Sequence, residues 1–493
     1  MCIPKEGKPK KFIKNWHPIT LLNVSYKIAS ACIAKRIQRV LPSIIHESQK
    51  GFMKDRYIGE CIRLIYDVMM YTEKMHIPGL LVAIDFEKAF DSVSWVFLEK
   101  CLHFFNFPQN MVQWFKTLYK DASSCVYLNG QYSCWFPLER GCRQGDCLSP
   151  YMYLIAAEVL SLMIRKNKDI RGIRIRDREA LLNQFADDTS LLLDGTEKSF
   201  TETVHTFDSF AKISGLRINN EKTQILWIGS RKHCGLIFMR DRNFTWDPGI
   251  IRILGILFSI NLHQVVQLNY EGKLGEIKNI LARWRRRHLS PFGKITVIKT
   301  LVISKLTYLF LNITDPTNEF LQELENDIFK FLWDGKPGKI KKSVVYKPKV
   351  EGGLDMCDVH AYIASLKISW LVRLRQESHL AHMTYSLYPE IANLKIYGED
   401  YVKILLKRVQ NKFWQDVFGH YRKLALKCTP QNEIEFIGVF FHYNSNIVRD
   451  RDVIFLKQWV DAGCLQVKDL LDEEGKIISF DNFKTRCPAI TGL

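Results

Sequence analysis

Two adjacent aspartates between apolar segments set the tightest constraint on this chain. In Leu181-Leu182-Asn183-Gln184-Phe185-Ala186-Asp187-Asp188-Thr189-Ser190-Leu191-Leu192-Leu193, apolar residues flank Asp187 and Asp188, and Asp194-Gly195 follows as a turn signal. Read as a strand, a tight turn and a returning strand, the stretch lifts both carboxylates onto one end of a sheet. Carboxylates that close repel each other unless a cation lies between them. Their oxygen chemistry points to a hard ion such as magnesium. The same residues also read as a solvated Asp-Asp turn, because Asp is a common turn residue.

A second stretch narrows the choice. Leu80 to Ile84 are five consecutive apolar residues, followed by Asp85-Phe86. They predict a strand buried on both faces. An unpaired carboxylate is costly to bury, so Asp85 calls for a metal or a basic partner, unless it caps the helix that follows. Helices are predicted over 21–41 (ended by Pro42), 59–76, 94–107 and 109–119. Two more are predicted from Ser149 to about Lys166, with Ser149 as N-cap and Pro150 at the first helical position, and from Glu197 to Ser214, with Gly215 as C-terminal cap. Ser123 to Gly130 reads as a strand and turn, and Leu216 to Trp227 as strand, turn, strand. This order predicts an α/β (α+β) sandwich with a mainly antiparallel sheet. If Asp85 and the Asp187-Asp188 tip share one end of that sheet, three carboxylates converge and could clamp two divalent ions for an in-line phosphoryl displacement.

Composition then points to the substrate. The formal net charge is +18 over 493 residues, which suggests a polyanionic partner, most simply nucleic acid. The length calls for two to four domains. The 13 cysteines form no Cys-x-x-Cys pair, which argues against a zinc finger or disulfide framework and for a reducing compartment. The longest unbroken apolar run, Tyr151 to Ala157, is too short to span a membrane. Arg283-Trp284-Arg285-Arg286-Arg287-His288 sets arginines beside an aromatic ring, which suits phosphate contact and base stacking, or else a solvated helix face. Gly335 to Lys342 and the lysines at 5, 8, 10, 11 and 14 form two basic loops. Residues 350–493 read as helical and aromatic-rich. On spacing alone, polymerase and nuclease both stay open.

Here the motifs carry a resemblance. Val82-Ala83-Ile84-Asp85-Phe86-Glu87-Lys88-Ala89-Phe90-Asp91 resembles the first catalytic motif of the reverse transcriptases of non-LTR (LINE-type) retrotransposons. Gly141-Cys142-Arg143-Gln144-Gly145-Asp146, with Leu148-Ser149-Pro150, resembles their template and nucleotide loop. Phe185-Ala186-Asp187-Asp188 resembles the second catalytic motif. Ser214-Gly215-Leu216-Arg217-Ile218-Asn219 with Lys222-Thr223, and then Leu254-Gly255-Ile256, resemble the motifs that follow. Asn15-Trp16-His17-Pro18-Ile19 and Gln49-Lys50-Gly51-Phe52 resemble fingers motifs. The likeness covers about residues 3–258, in order and at compatible spacing.

The resemblance implies a right-hand polymerase. It places a reverse transcriptase domain over 1–258 (fingers about 1–78, palm about 79–258), a thumb-like helical region over 259–345, and a C-terminal helical region of unassigned role over 346–493. It implies an RNA-directed DNA polymerase with two Mg2+ ions, or Mn2+ in their place. RNA template, DNA primer and deoxynucleoside triphosphates are the implied substrates. Asp85, Asp187 and Asp188, with the Phe86 carbonyl, would hold the metals. Phe90 would sit under the incoming sugar and exclude a 2′-hydroxyl. Arg143, Gln144 and Gly145 would line the pocket. Lys222 would protonate the leaving pyrophosphate. Arg283, Arg285, Arg286 and Arg287 would contact nucleic acid.

The chain departs from the pattern at three places. His17 stands where the family usually has an arginine that holds the triphosphate, Asp55 where it usually has Gly, and Cys147 where it often has Pro. The abrupt basic start reads as fingers lacking their N-terminal part. A separate endonuclease is then a candidate partner, and the cytoplasm and nucleus the expected locations. A remnant that binds nucleic acid without polymerising it is the alternative expectation.

Overall fold

The computed structural model describes residues 2–486 apart from 5–8, 10, 13–15, 129, 339, 377, 396, 399, 426–438, 445–446, 450–451 and 473. The chain divides into two compact units, 1–262 and 263–493.

The first unit is built on a five-stranded sheet. Its strands lie in the order Leu182–Phe185, Asp188–Leu193, Pro78–Ile84, Gln224–Gly229 and Thr245–Trp246. The apolar run takes the centre, as its lack of polar alternation requires. Pro78–Ile84 is antiparallel to both neighbours, with Thr189 opposite Ile84 on one side and Gln224 opposite Ala83 on the other. The last pair of strands is parallel. Successive side chains of a strand alternate between faces. Leu80, Val82 and Ile84 accordingly join one core, with Phe97, Leu154, Leu160, Phe207 and Phe210 from the helices Trp95–Phe104, Ser149–Lys166 and Glu197–Ser214. The helix Ile58–Lys74 packs on the strands Gln224–Gly229 and Leu182–Phe185.

Helix Glu197–Ser214 has the predicted limits. The Thr196 hydroxyl accepts from the Ser199 N–H, and Gly215 closes the helix at φ +82°. Three expectations are corrected. Pro42 does not end the first helix, which runs from Val24 to Ile44 with the proline inside it. So near the end the ring removes one bond at little cost, and the Ile45 N–H still reaches the Leu41 carbonyl at 2.8 Å. Leu216 to Thr223 is a loop rather than a strand, touching the sheet by one bridge between Phe86 and Ile218. Ser149 is the first helical residue and not the cap. The Asp146 carboxylate takes the Leu148 N–H and the Ser149 hydroxyl instead.

The second unit is mainly helical. Its longer helices are Lys273–Arg285, Asn318–Leu332, Val359–Arg375 and Lys412–Ala425. Two short strands, Val448–Arg449 and Asp452–Val453, pair farther on, where helix alone was expected. Pro291–Asn312 is a continuous 22-residue helical run whose length and composition would suffice to cross a membrane. Half of its apolar window is buried inside the unit, as in a core helix.

Candidate active site

The two aspartates occupy a two-residue hairpin tip. Phe185 pairs with Asp188, so Ala186 and Asp187 make the turn. Ala186 takes φ +56°, the left-handed region that such a turn normally gives to glycine. For alanine this costs about 1 kcal/mol. Because Thr189 lies opposite Ile84, one more step of the same register brings Asp188 level with Asp85. On the other side of Asp85, the Lys222 ammonium lies 3.4 Å from Asp85 Oδ2.

Charge at this tip is poorly compensated. Asp85 Oδ2 is buried and has no hydrogen-bond partner. Loss of water, and then the Asp85 charge, raise the Asp187 carboxyl above its ordinary value. Loss of water, then Asp187, then Asp85, push Asp188 up to about 6, although Asp188 remains an exposed residue. A cleft of about 100 Å³ holds Asp85, Asp188, Lys222, Asn183 and Arg252 among its lining, while Asp187 does not line it. Arg252 carried no signal in the sequence, since it lies on a short hairpin strand, Ile250–Ile253, that was not foreseen.

Among the described residues no three His, Cys, Asp or Glu side chains stand close enough to hold a metal ion together. The donor chemistry at the tip nonetheless suits a hard divalent cation. All the groups are oxygen, three carry formal charge, and one buried oxygen, Asp85 Oδ2, accepts no hydrogen bond and faces the Lys222 ammonium at 3.4 Å. Phe86 extends the central strand through its bridge to Ile218, and its ring lies 5.9 Å from Phe207.

The expected nucleotide loop lies against the residues just after Asp85. The Phe90 ring is half-buried, stacked on Tyr153 at 4.5 Å and edge-on to Phe52. Its carbonyl accepts from the Cys142 N–H at 2.6 Å. Gln144 donates from Nε2 to Asp91 Oδ1 at 3.3 Å, and its carbonyl accepts from the Thr20 N–H at 3.0 Å. Gly145 takes φ +101° with a Cβ position only 3.2 Å from the Thr20 carbonyl, so a side chain there would be both strained and crowded. Arg143 behaves differently. Its guanidinium lies over the Tyr26 and Tyr119 rings, at 4.8 and 5.0 Å, and donates to the Leu118 carbonyl. In this structure it braces helices.

Asp55 takes φ +62°, which explains a position where glycine is usual, and Asp tolerates that region better than most residues. The backbone of His17 pairs with Ile3. Lys5, Lys8, Lys10, Lys14 and Asn15 lie outside the described residues, as does Lys339 of the second basic loop.

In the second unit, Arg283 and Arg285 lie in the last turn of Lys273–Arg285, and Arg286 and Arg287 just after it. All four are exposed. The Arg287 guanidinium lies 4.8 Å from the Trp284 ring, and Arg285 donates to the Asp334 carbonyl at 2.7 Å. Arg285, Arg286, Lys278 and Lys330 line a cleft of about 350 Å³ that Asp327 also lines. A second cleft of about 420 Å³ is lined by Phe329, Trp333, Lys330, Lys336 and Lys342 among others.

Residues 3–258 match the family described as reverse transcriptase (RNA-dependent DNA polymerase). The transposon TX1 uncharacterized 149 kDa protein of Xenopus laevis is 28% identical over 373 residues, covering 75% of this chain and 28% of that protein. The retrovirus-related Pol polyprotein from type-1 retrotransposable element R2 of Popillia japonica is 23% identical over 320 residues, covering 62% of this chain and 43% of that protein. Among solved structures, telomerase from Candida albicans in complex with a TWJ fragment of telomeric RNA is 11% identical with a TM-score of 0.39, covering 82% of this chain and 57% of that one. The chain spans less than half the length of either curated relative.

Proposed function

The chain belongs to the reverse transcriptase (RNA-dependent DNA polymerase) family, and from that premise we propose that it extends a DNA primer by copying an RNA template. It is a non-LTR retrotransposon enzyme in this reading, as the TX1 and R2 relatives support. One observation carries the chemistry. The register that levels Asp188 with Asp85, beside the Asp187 turn, gathers carboxylates at the end of three adjacent strands.

Reverse transcriptases generally use divalent metal ions. We assign two Mg2+ ions to Asp85, Asp187, Asp188 and the Phe86 carbonyl, with Mn2+ as a substitute. When bound, they would activate the primer 3′-oxygen and offset charge on the phosphates. The chain's own residues do the rest. Lys222, tethered beside Asp85, is placed to hand a proton to the departing pyrophosphate. Phe90, fixed from behind by Tyr153, bears on the sugar and rejects a 2′-hydroxyl by size. Gln144 and Gly145 hold the loop over the template base, while Arg143 serves that pocket through its brace on Tyr26 and Tyr119. Arg283, Arg285, Arg286 and Arg287 grip phosphates of the nucleic acid. The fingers, palm, thumb-like and C-terminal regions follow the boundaries 1–78, 79–258, 259–345 and 346–493. A separate endonuclease would prepare the primer end, in the nucleus, after synthesis of the protein in the cytoplasm.

The test is primer extension on an RNA template with deoxynucleotides and Mg2+. Extension by the folded protein that disappears in Asp187→Ala is the expected result. If the wild type extends no more than Asp187→Ala yet both bind RNA in a salt-dependent way, the chain is an inert nucleic-acid-binding remnant. Mg2+-dependent cleavage of nucleic acid without nucleotides would instead mark a nuclease.

A further inference from the structure

We propose that Gln49 is a positioning residue for the aspartate hairpin: its side-chain amide holds Ala186 in the left-handed conformation that presents Asp187 and Asp188. The inference rests on the reading of those two aspartates as catalytic carboxylates.

The outer strand of the sheet, Leu182–Phe185, would leave a row of backbone groups unpaired along its free edge. The segment 48–50 covers that edge. The Gln184 N–H donates to the Ser48 carbonyl at 3.0 Å, and the Lys50 N–H donates to the Gln184 carbonyl at 2.8 Å. This short parallel pairing runs out just before the turn. There the Gln49 side chain takes over from backbone. Its Oε1 accepts from the Ala186 N–H at 2.8 Å, and its Nε2 donates to the Ala186 carbonyl at 3.3 Å. One primary amide thus satisfies both polar groups of the one strained residue in the turn. Only Asn and Gln offer a donor and an acceptor in that arrangement.

The clamp is itself held. The Gly51 N–H donates to the same Gln49 Oε1 at 2.9 Å, and two N–H groups converging on one atom fix which end of the amide is oxygen. Gly51 also makes room, because a Cβ there would lie 2.3 Å from the Ala186 nitrogen. Arg56 fastens the loop from beneath by donating to the carbonyls of Ile45, His46 and Gln49 at 2.9, 2.6 and 2.7 Å. The next side chain, Lys50, forms a buried ion pair with Glu60. Gln49 is 1% exposed and cannot relax into water. Strained backbone persists only where its surroundings over-determine it. These contacts supply that determination for Ala186, and Asp187 and Asp188 follow it directly in the chain.

The experiment compares steady-state primer extension by the full chain for wild type, Gln49→Ala, and Gln49→Ala with Ala186→Gly. Glycine takes positive φ without strain, so it removes the need for the clamp. Amide hydrogen exchange over residues 184–189 gives a readout independent of activity. Gln49→Ala is expected to lower kcat about tenfold, or about 1.4 kcal/mol, with the nucleotide KM within about threefold of wild type. Ala186→Gly is expected to restore at least about threefold of that loss in kcat, a recovery that a general fingers defect would not show. The Ala186 amide is expected to exchange faster in Gln49→Ala. An unchanged kcat, a loss confined to KM, a double variant no better than Gln49→Ala, or unchanged exchange at Ala186 would each overturn the proposal. If the wild type itself extends no primer, the polymerase reading fails, and exchange at Ala186 alone decides the clamp.

Discussion

At the hairpin tip, Asp187 and Asp188 share their surroundings with Asp85, whose Oδ2 lies 3.4 Å from the Lys222 ammonium. In the second unit, Asp315 also loses water, but His420 Nε2 meets it at 2.6 Å and the fully buried Lys367 ammonium lies 3.4 Å away. Burial alone would raise the Asp315 carboxyl, yet the His420 hydrogen bond and the Lys367 charge hold it below its ordinary value. The Asp315 N–H in turn donates to Asp416, which burial and the Asp315 charge raise. The two clusters use the same residue type and differ in compensation. At the tip the exposed Lys222 ammonium meets Asp85 while the Asp187 and Asp188 carboxyls stay raised, whereas in the second unit His420 and the buried Lys367 hold the Asp315 carboxyl down. Carboxyls raised by burial and by one another are candidates for a functional site, and the tip holds two of them in adjacent residues.

Substitution should separate the two clusters most sharply. Asp187→Ala is expected to lower primer extension on the order of a thousandfold while leaving thermal unfolding of the chain nearly unchanged. Asp315→Ala should do the reverse to stability. It strands the Lys367 ammonium, which also donates to the Ile313 carbonyl and sits 4.5 Å from the Phe413 ring. Breaking one side of a buried pair costs about 3–5 kcal/mol, so the denaturation midpoint should fall clearly. Equal effects of the two variants on stability would erase the distinction.

The pH dependence should carry opposite signs. Asp188 has a folded value near 6, above its ordinary 3.8, so its ionised form opposes folding. Its stabilising share is present below about pH 4 and is lost as pH rises through 6. A shift of two units corresponds to about 3 kcal/mol, which solvent around exposed Asp188 cuts to about 1 kcal/mol. Asp188→Asn should therefore stabilise the chain at pH 7 by about 1 kcal/mol and leave it unchanged at pH 4. Asp315 is held below its ordinary value, so its contribution is present above that value and is lost as pH falls. Asp315→Asn should destabilise the chain at pH 7 and lose that effect as the solution is acidified. Unfolding midpoints of the two variants between pH 4 and 7 check both slopes.

These clusters also show what a sequence can display. Asp85 was legible because it ends an apolar run whose lack of alternation announces a buried strand, and Asp187 and Asp188 because two adjacent carboxylates lie between apolar segments within an ordered set of motifs. The helix from Glu197 to Ser214 was legible at its C-terminal end, where Gly215 caps it. Leu216 to Thr223 was misread because alternating apolar residues do not show whether a partner strand lies within reach. Arg143 sits in a motif that suggests substrate, but its contacts with Tyr26 and Tyr119 come from elements distant in the chain. The same limit hid the support of both clusters. Gln49 and Ala186 are 137 residues apart, and Asp315 and His420 are 105 apart. No local pattern marks such pairs, because nothing near either residue in sequence requires the other.

The smallest expected effect concerns charge that neither cluster uses. Arg285 and Arg286 line an open cleft with Lys278 and Lys330, and Asp327 also lines it. They are exposed, so replacing them should leave folding nearly untouched. If they grip phosphates, each released counterion contributes about 0.7 to the slope of log affinity against log salt for single strands. Arg285→Ala with Arg286→Ala should then reduce that slope by about 1.4 and weaken RNA binding similarly for unrelated sequences. Arg285 also donates to the Asp334 carbonyl, so a lost slope in Arg286→Ala alone separates phosphate contact from a local rearrangement. An unchanged slope in both variants would remove these arginines from the nucleic-acid surface.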